Sequence, residues 1–153
     1  MTIAGKKHWL WRAVDQDGMV LDILVQSRRN KRAAKRLLRK LLRKQARPPR
    51  VMITDKLASY AAATREIMPG VGHRQHKGLN NRAENSHQPT RRRERQMKRY
   101  KSPCHAQRFL AAHDQVNNLF HLRRYRLPAE QYRAARVQAF RTWAEVTGVA
   151  RMA

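Results

Sequence analysis

Of the ten acidic residues in this 153-residue sequence, two stand where chemistry is possible. Asp55 follows RVMIT (50–54), a short apolar run that reads as a buried strand, and open α/β sheets keep their active sites at strand C-termini. Glu84 comes just after Asn80-Asn81, a pair suited to a helix N-cap, and so opens a helix among arginines. Two carboxylates brought together there suit Mg²⁺, a hard cation that takes few protein oxygens and completes its shell with water and phosphate. Two such ions clamp the attacking and leaving oxygens of a phosphodiester during in-line displacement. A plainer reading stands beside this one: Asp55 caps the following helix and Glu84 answers a nearby Arg. Spacing alone leaves both open and leans to the plainer. The other eight acids have local explanations. Asp15 and Asp17 belong to a turn, and Asp22 is expected on the solvent side of a strand. Glu66, Asp114, Glu130 and Glu145 lie on helices beside arginines, and Glu94 is embedded in a basic run.

The elements that must position Asp55 and Glu84 are legible from periodicity. Residues 8–14 (HWLWRAV) and 19–26 (MVLDILVQ) flank an Asp-Gly turn and predict an antiparallel hairpin. Ser27–Arg47 switches to helical period, with Ala33, Ala34, Leu37, Leu38, Leu41 and Leu42 on one stripe and Arg or Lys on the other faces. Pro48-Pro49 stops that helix before the 50–54 strand. A second helix is expected over about 57–68, then a short strand or loop over 71–78. Pro89 is expected to kink or interrupt the helix that carries Glu84. Ser102-Pro103 starts a long helix to about Arg124, with a stripe of Ala106, Phe109, Leu110, Val116, Leu119 and Phe120. A last helix, about Ala129–Val146, places Tyr132, Ala135, Ala139, Phe140 and Trp143 on one side. This order predicts a mixed α/β layer fold with an incomplete sheet, a core over 1–102 and a helical part over 103–153 packed on the same domain. Met1–Gly5 reads as the end of a strand.

Charge narrows the partners. Lys and Arg number 35 against ten acids, a net charge of +25, and 25 of the cations are Arg, whose planar fork suits phosphate. Such self-repulsion is offset by a polyanion, so nucleic acid is the expected partner. An acidic-substrate enzyme fits poorly. Apolar residues at 41% with three Trp argue against disorder. A lone Cys104 excludes an internal disulfide and suits a cytoplasmic setting. No apolar run is long enough for a membrane span. The densest cationic run, RRRERQMKRYK (91–101), directly follows Glu84 and reads as a phosphate-tracking segment.

Four segments, WLWRAVDQDGMVLDILVQ, ITDKLASY, HRQHKGLNNRAENSH and QPTRRRERQMKRYKS, together resemble the DDE-type transposases of the bacterial insertion-sequence-six family. The resemblance runs from about Ala4 to Val149. It implies a ribonuclease-H-like catalytic core that cuts and joins double-stranded DNA with two divalent ions, Mg²⁺ or Mn²⁺. It further implies nucleoid association and assembly as homo-oligomers. By motif position, Asp55 matches the second of the family's three acidic ligands and Glu84 the third. Arg91, seven residues on, occupies the place of a basic residue two helical turns from the glutamate. On a continuous helix that spacing puts both on one face, with the guanidinium available to a phosphate. DNA contacts are implied for His73, Arg74, Lys77 and Arg82, and for Arg92 and Arg93 beside Arg91.

The family's first aspartate lies upstream of the segment seen here as Met1–Lys6, and no residue of this sequence occupies its position. A helix-turn-helix region of the family is likewise absent. The expectation is therefore an impaired metal site and an inactive chain, from a misassigned start or a true truncation. The alternative is a non-catalytic DNA-binding remnant that interferes with full-length transposase by mixed assembly. Three further signals have bland readings. His73 and His76 form an H-x-x-H without further ligands, so zinc is disfavoured. The basic helix over 28–47 packs on the sheet in preference to a membrane. Trp9, Trp11 and Trp143 are expected in the core.

Overall fold

A computed structural model describes residues 1–76, 78–122 and 125–149. The chain forms two compact units, Met1–Ala112 and His113–Ala153. Its strands and helices run in the order β1 (Thr2–Ile3), β2 (Lys6–Lys7), β3 (Trp9–Val14), β4 (Val20–Gln26), α1 (Lys31–Gln45), β5 (Val51–Thr54), α2 (Ala58–Ile67) and β6 (Gly72–Gln75). A single 3-10 turn (Gly78–Asn80) leads into α3 (Asn81–Gln96), followed by α4 (Pro103–Phe120) and α5 (Ala129–Thr147). The mixed α/β expectation is met.

The strands pair as three separate ladders. β3 and β4 form the expected hairpin, closed by Asp15, whose side chain accepts from the backbone N–H of Asp17 (2.8 Å) and Met19 (2.9 Å). β5 and β6 run parallel, from Val51 against Gly72 to Thr54 against Gln75. The first seven residues differ from expectation: β1 and β2 make a tight hairpin of their own that buries Ile3. Its turn places Ala4 at φ 48° and Gly5 at φ 75°. Alanine seldom takes that conformation and Lys6-Lys7 lacks apolar alternation, so neither residue signals a turn or a strand in sequence.

The β3–β4 hairpin is buried on both faces, which explains the near-continuous apolar run of β4. On one face Trp11 and Leu24 join Ala33, Ala34, Leu37 and Leu38 of α1 and Ala63 of α2, with Met52 of β5 against the cluster. On the other, Ile23 and Val25 join Ile3, Tyr100 and the Ala106 and Leu110 of α4. α1 is capped by Asn30, whose side chain accepts from Ala33 N–H at 3.1 Å, and ends at Ala46 in the left-handed region. Asp22 corrects the solvent-side expectation. It is buried, and its Oδ1 accepts from Lys40 Nζ at 2.7 Å and from Ile23 N–H at 2.8 Å.

α3 is continuous through Pro89, against the expected interruption. Proline denies the Asn85 carbonyl its helical N–H. One residue on from each side of that gap, Arg12 of β3 donates to the Ser86 carbonyl and, at 2.6 Å, to Thr90 Oγ1. This buried guanidinium straddles the proline and holds the helix against the hairpin.

In the unit His113–Ala153, the Phe120 ring stands 5.1 Å from that of Phe140 and 6.2 Å from that of Trp143. Ala139 is buried there, whereas Phe140 is 52% and Trp143 37% exposed, contrary to the stripe expected of α5. Val116 is likewise exposed, while Asp114 is buried, with His113 Nδ1 among its neighbours at 3.7 Å. Among the described residues no helix is long and apolar enough to cross a membrane.

Candidate metal and nucleic-acid site

Asp55 is the first residue beyond β5, and two neighbours fix its carboxylate. Oδ2 receives Arg29 Nη2 at 2.6 Å, and Oδ1 accepts the backbone N–H of Leu57 at 3.2 Å. The second contact is the capping role of the plainer reading, made to the residue that precedes α2. The first shows that Asp55 attracts a cation. The side chain keeps 31% of its exposure, so one edge faces solvent. Beneath it, buried Thr54 donates to the Asp55 carbonyl at 2.9 Å, and its Oγ1 lies 2.8 Å from His73 Nε2. Tyr60, one turn into α2, stacks edge-on to Trp11 at 5.2 Å. Burial raises its phenol pKa, and the Asp55 charge raises it further.

β6 carries the chain back along β5, and His76 N–H donates to the Thr54 carbonyl at 3.1 Å. The 3-10 turn then contacts β5 and delivers α3. Glu84 thus stands in the first turn of a helix that begins beside the strand ending at Asp55. It is exposed and makes no hydrogen bond or ion pair among the described residues, so the expected answering Arg is not seen. Because α3 is unbroken, Glu84 and Arg91 are two turns apart on one face. Between them, burial and then the charges of Arg12 and Arg91 lower the His87 pKa to about 4, leaving a neutral ring at neutral pH.

The remaining candidates divide. Arg74, Arg91, Arg92 and Arg93 are exposed, and Arg93 Nη1 reaches Gln96 Oε1 at 3.3 Å. Arg82 donates to the Gln16 carbonyl, which ties α3 to the hairpin turn. His73 is half-buried on Thr54, and burial lowers its pKa. His76 Nδ1 instead accepts the Leu79 N–H at 3.2 Å, so the H-x-x-H pair serves two separate local contacts. Lys77 lies outside the described residues. Sequence reasoning missed Arg29 and Arg12, which orient the two candidate carboxylate elements. The one signal for Arg12 was a charge inside an otherwise apolar strand. Nothing in the sequence distinguishes Arg29 from its neighbours.

The oxygen donors of Asp55 and Glu84 fit a hard divalent ion that keeps water and phosphate in its shell. Among the described residues no three His, Cys, Asp or Glu side chains are grouped to hold a metal. A family model described as a DDE domain, of the IS240 transposase type, matches residues 1–123. No curated protein and no solved structure matches the chain.

Proposed function

The chain belongs to the DDE-domain transposases of the insertion-sequence-six type, with a mixed α/β, ribonuclease-H-like core, and from that premise we propose that its first unit grips DNA around a divalent-metal site formed by Asp55 and Glu84. Transposition and a DNA partner come with the family, as does use of divalent metal. The residue roles are our assignment.

One observation carries the reading: α3 runs unbroken through Pro89, so a carboxylate and a guanidinium share one face of the helix delivered by the 3-10 turn that contacts β5. Asp55 and Glu84 would hold Mg²⁺ or Mn²⁺, and Arg29 would hand Asp55 over to the ion. A bound ion supplies Lewis acidity toward a phosphodiester oxygen. Arg91 steadies that phosphate through its fork, and Arg92, Arg93, Arg74 and Lys77 hold the flanking backbone. His73 and Arg82 shape the same edge through Thr54 and Gln16. Of the three carboxylates the family uses, we assign the second to Asp55 and the third to Glu84.

Fluorescence anisotropy on a labelled duplex tests the DNA-facing assignment. Log affinity should fall with log salt at about 0.9 per phosphate neutralised. Replacing Arg91, Arg92 and Arg93 by Gln should reduce the slope by roughly 2 to 3, whereas D55N and E84Q should leave it unchanged. A flat salt response in the wild type would overturn the reading.

A further inference from the structure

α1 sorts its cations by type. It contains four Lys and four Arg and no acid. Every lysine is spent on the fold. Lys31 reaches Glu66 of α2 at 2.9 Å, and Lys35 bonds the same carboxylate, holding it near pKa 2. On the opposite flank Lys40 bonds Asp22 and the Ile23 carbonyl, and Lys44 donates to the Leu21 carbonyl at 2.8 Å. The arginines do the reverse. Arg32, Arg36, Arg39 and Arg43 are all exposed, and none makes an ion pair or hydrogen bond among the described residues. Their spacing of four, three and four puts them on one line along the crest, opposite the Ala33–Leu37–Leu38 stripe that packs on the sheet.

We propose that this crest is a second DNA-binding surface, one that grips the phosphate backbone of a duplex away from the Asp55–Glu84 edge. Like charges at i and i+4 repel, so the bare crest destabilises its own helix, and a polyanion removes that cost. Solubility alone would be served by either cation, but the crest uses only the one with a bidentate phosphate fork. An anionic membrane is the poorer partner, because the apolar face of α1 is buried in the core and none is left to insert. The crest runs over residues 32–43, about 16 Å at ~1.5 Å per residue, or roughly half a turn of duplex. It starts beside Arg29, the residue that holds Asp55, and runs away from it.

The inference rests on DNA as partner, and not on the roles of Asp55, Glu84 or Arg91. The test measures the salt dependence of binding to a labelled duplex by the full chain. R32Q/R36Q/R39Q/R43Q should lose roughly 3 to 4 from the slope, and R39Q/R43Q about half of that. K31Q/K35Q removes equal charge from the same helix as R39Q/R43Q; it should unfold more easily and keep the wild-type slope. An unchanged slope in the quadruple variant overturns the proposal, as does an equal loss in K31Q/K35Q. So does a crest variant that loses binding to phosphatidylserine vesicles while keeping its grip on duplex. A flat wild-type response would instead strike the DNA reading itself.

Discussion

His87 shows how the environment of one residue sets the charge of the site. Its pKa is lowered from the usual 6.5 to about 4, first by burial and then by Arg12 and Arg91. Above pH 6.5 the ring is neutral in both folded and unfolded chains, so native stability is full. As pH falls below 6.5 the unfolded chain takes up the proton first, and stability is lost until the folded ring also titrates near 4. Denaturant unfolding across that window should lose at most about 3 kcal/mol from this group. H87Q should flatten that part of the pH profile. At this scale the places of Asp55 and Glu84 in the fold are legible, because one follows an apolar run and the other opens a helix. Those of Arg29 and Arg12 are not. Their roles exist only once β5 is laid beside the start of α1 and α3 is laid across β3. Asp22 misled for a related reason: strand alternation points it outward, but α1 covers that face and brings Lys40.

At the scale of elements, α3 departs furthest from its sequence. An interior proline removes one helical hydrogen bond and crowds the preceding turn. The compensation comes from another element, the Arg12 fork on Ser86 and Thr90, and no local window contains it. Pro89 itself is exposed. P89A should therefore restore the Asn85 bond and raise stability by roughly 1 to 3 kcal/mol, read from chemical unfolding, without changing affinity for duplex. A loss of stability would mean that the proline shapes the helix in a way Arg12 does not account for. The remaining elements follow their sequence closely where apolar period is strong, as in α1 and β4; β5 forms where expected but is not the buried strand its apolar run implies, since Ile53 is 41% exposed. They depart where positive φ does the work, as at Ala4 in the first hairpin.

At the scale of the whole molecule, the cations divide by what they do. The net charge of +25 includes the α1 lysines that hold the fold, arginines that line exposed faces, and Arg29, which orients Asp55. Composition announced a polyanion partner, but not this division, which requires knowing which flank of α1 meets Glu66 and which meets Asp22. The central claim is that Asp55 and Glu84 act jointly on one divalent ion. Mn²⁺ binding to the full chain, followed by electron paramagnetic resonance in the absence of DNA, tests it most directly. The wild type should sequester Mn²⁺ weakly, and D55N and E84Q should each abolish that binding, while D15N, altered at a turn carboxylate, keeps it. Equal Mn²⁺ binding by the wild type and both site variants would contradict a shared metal site.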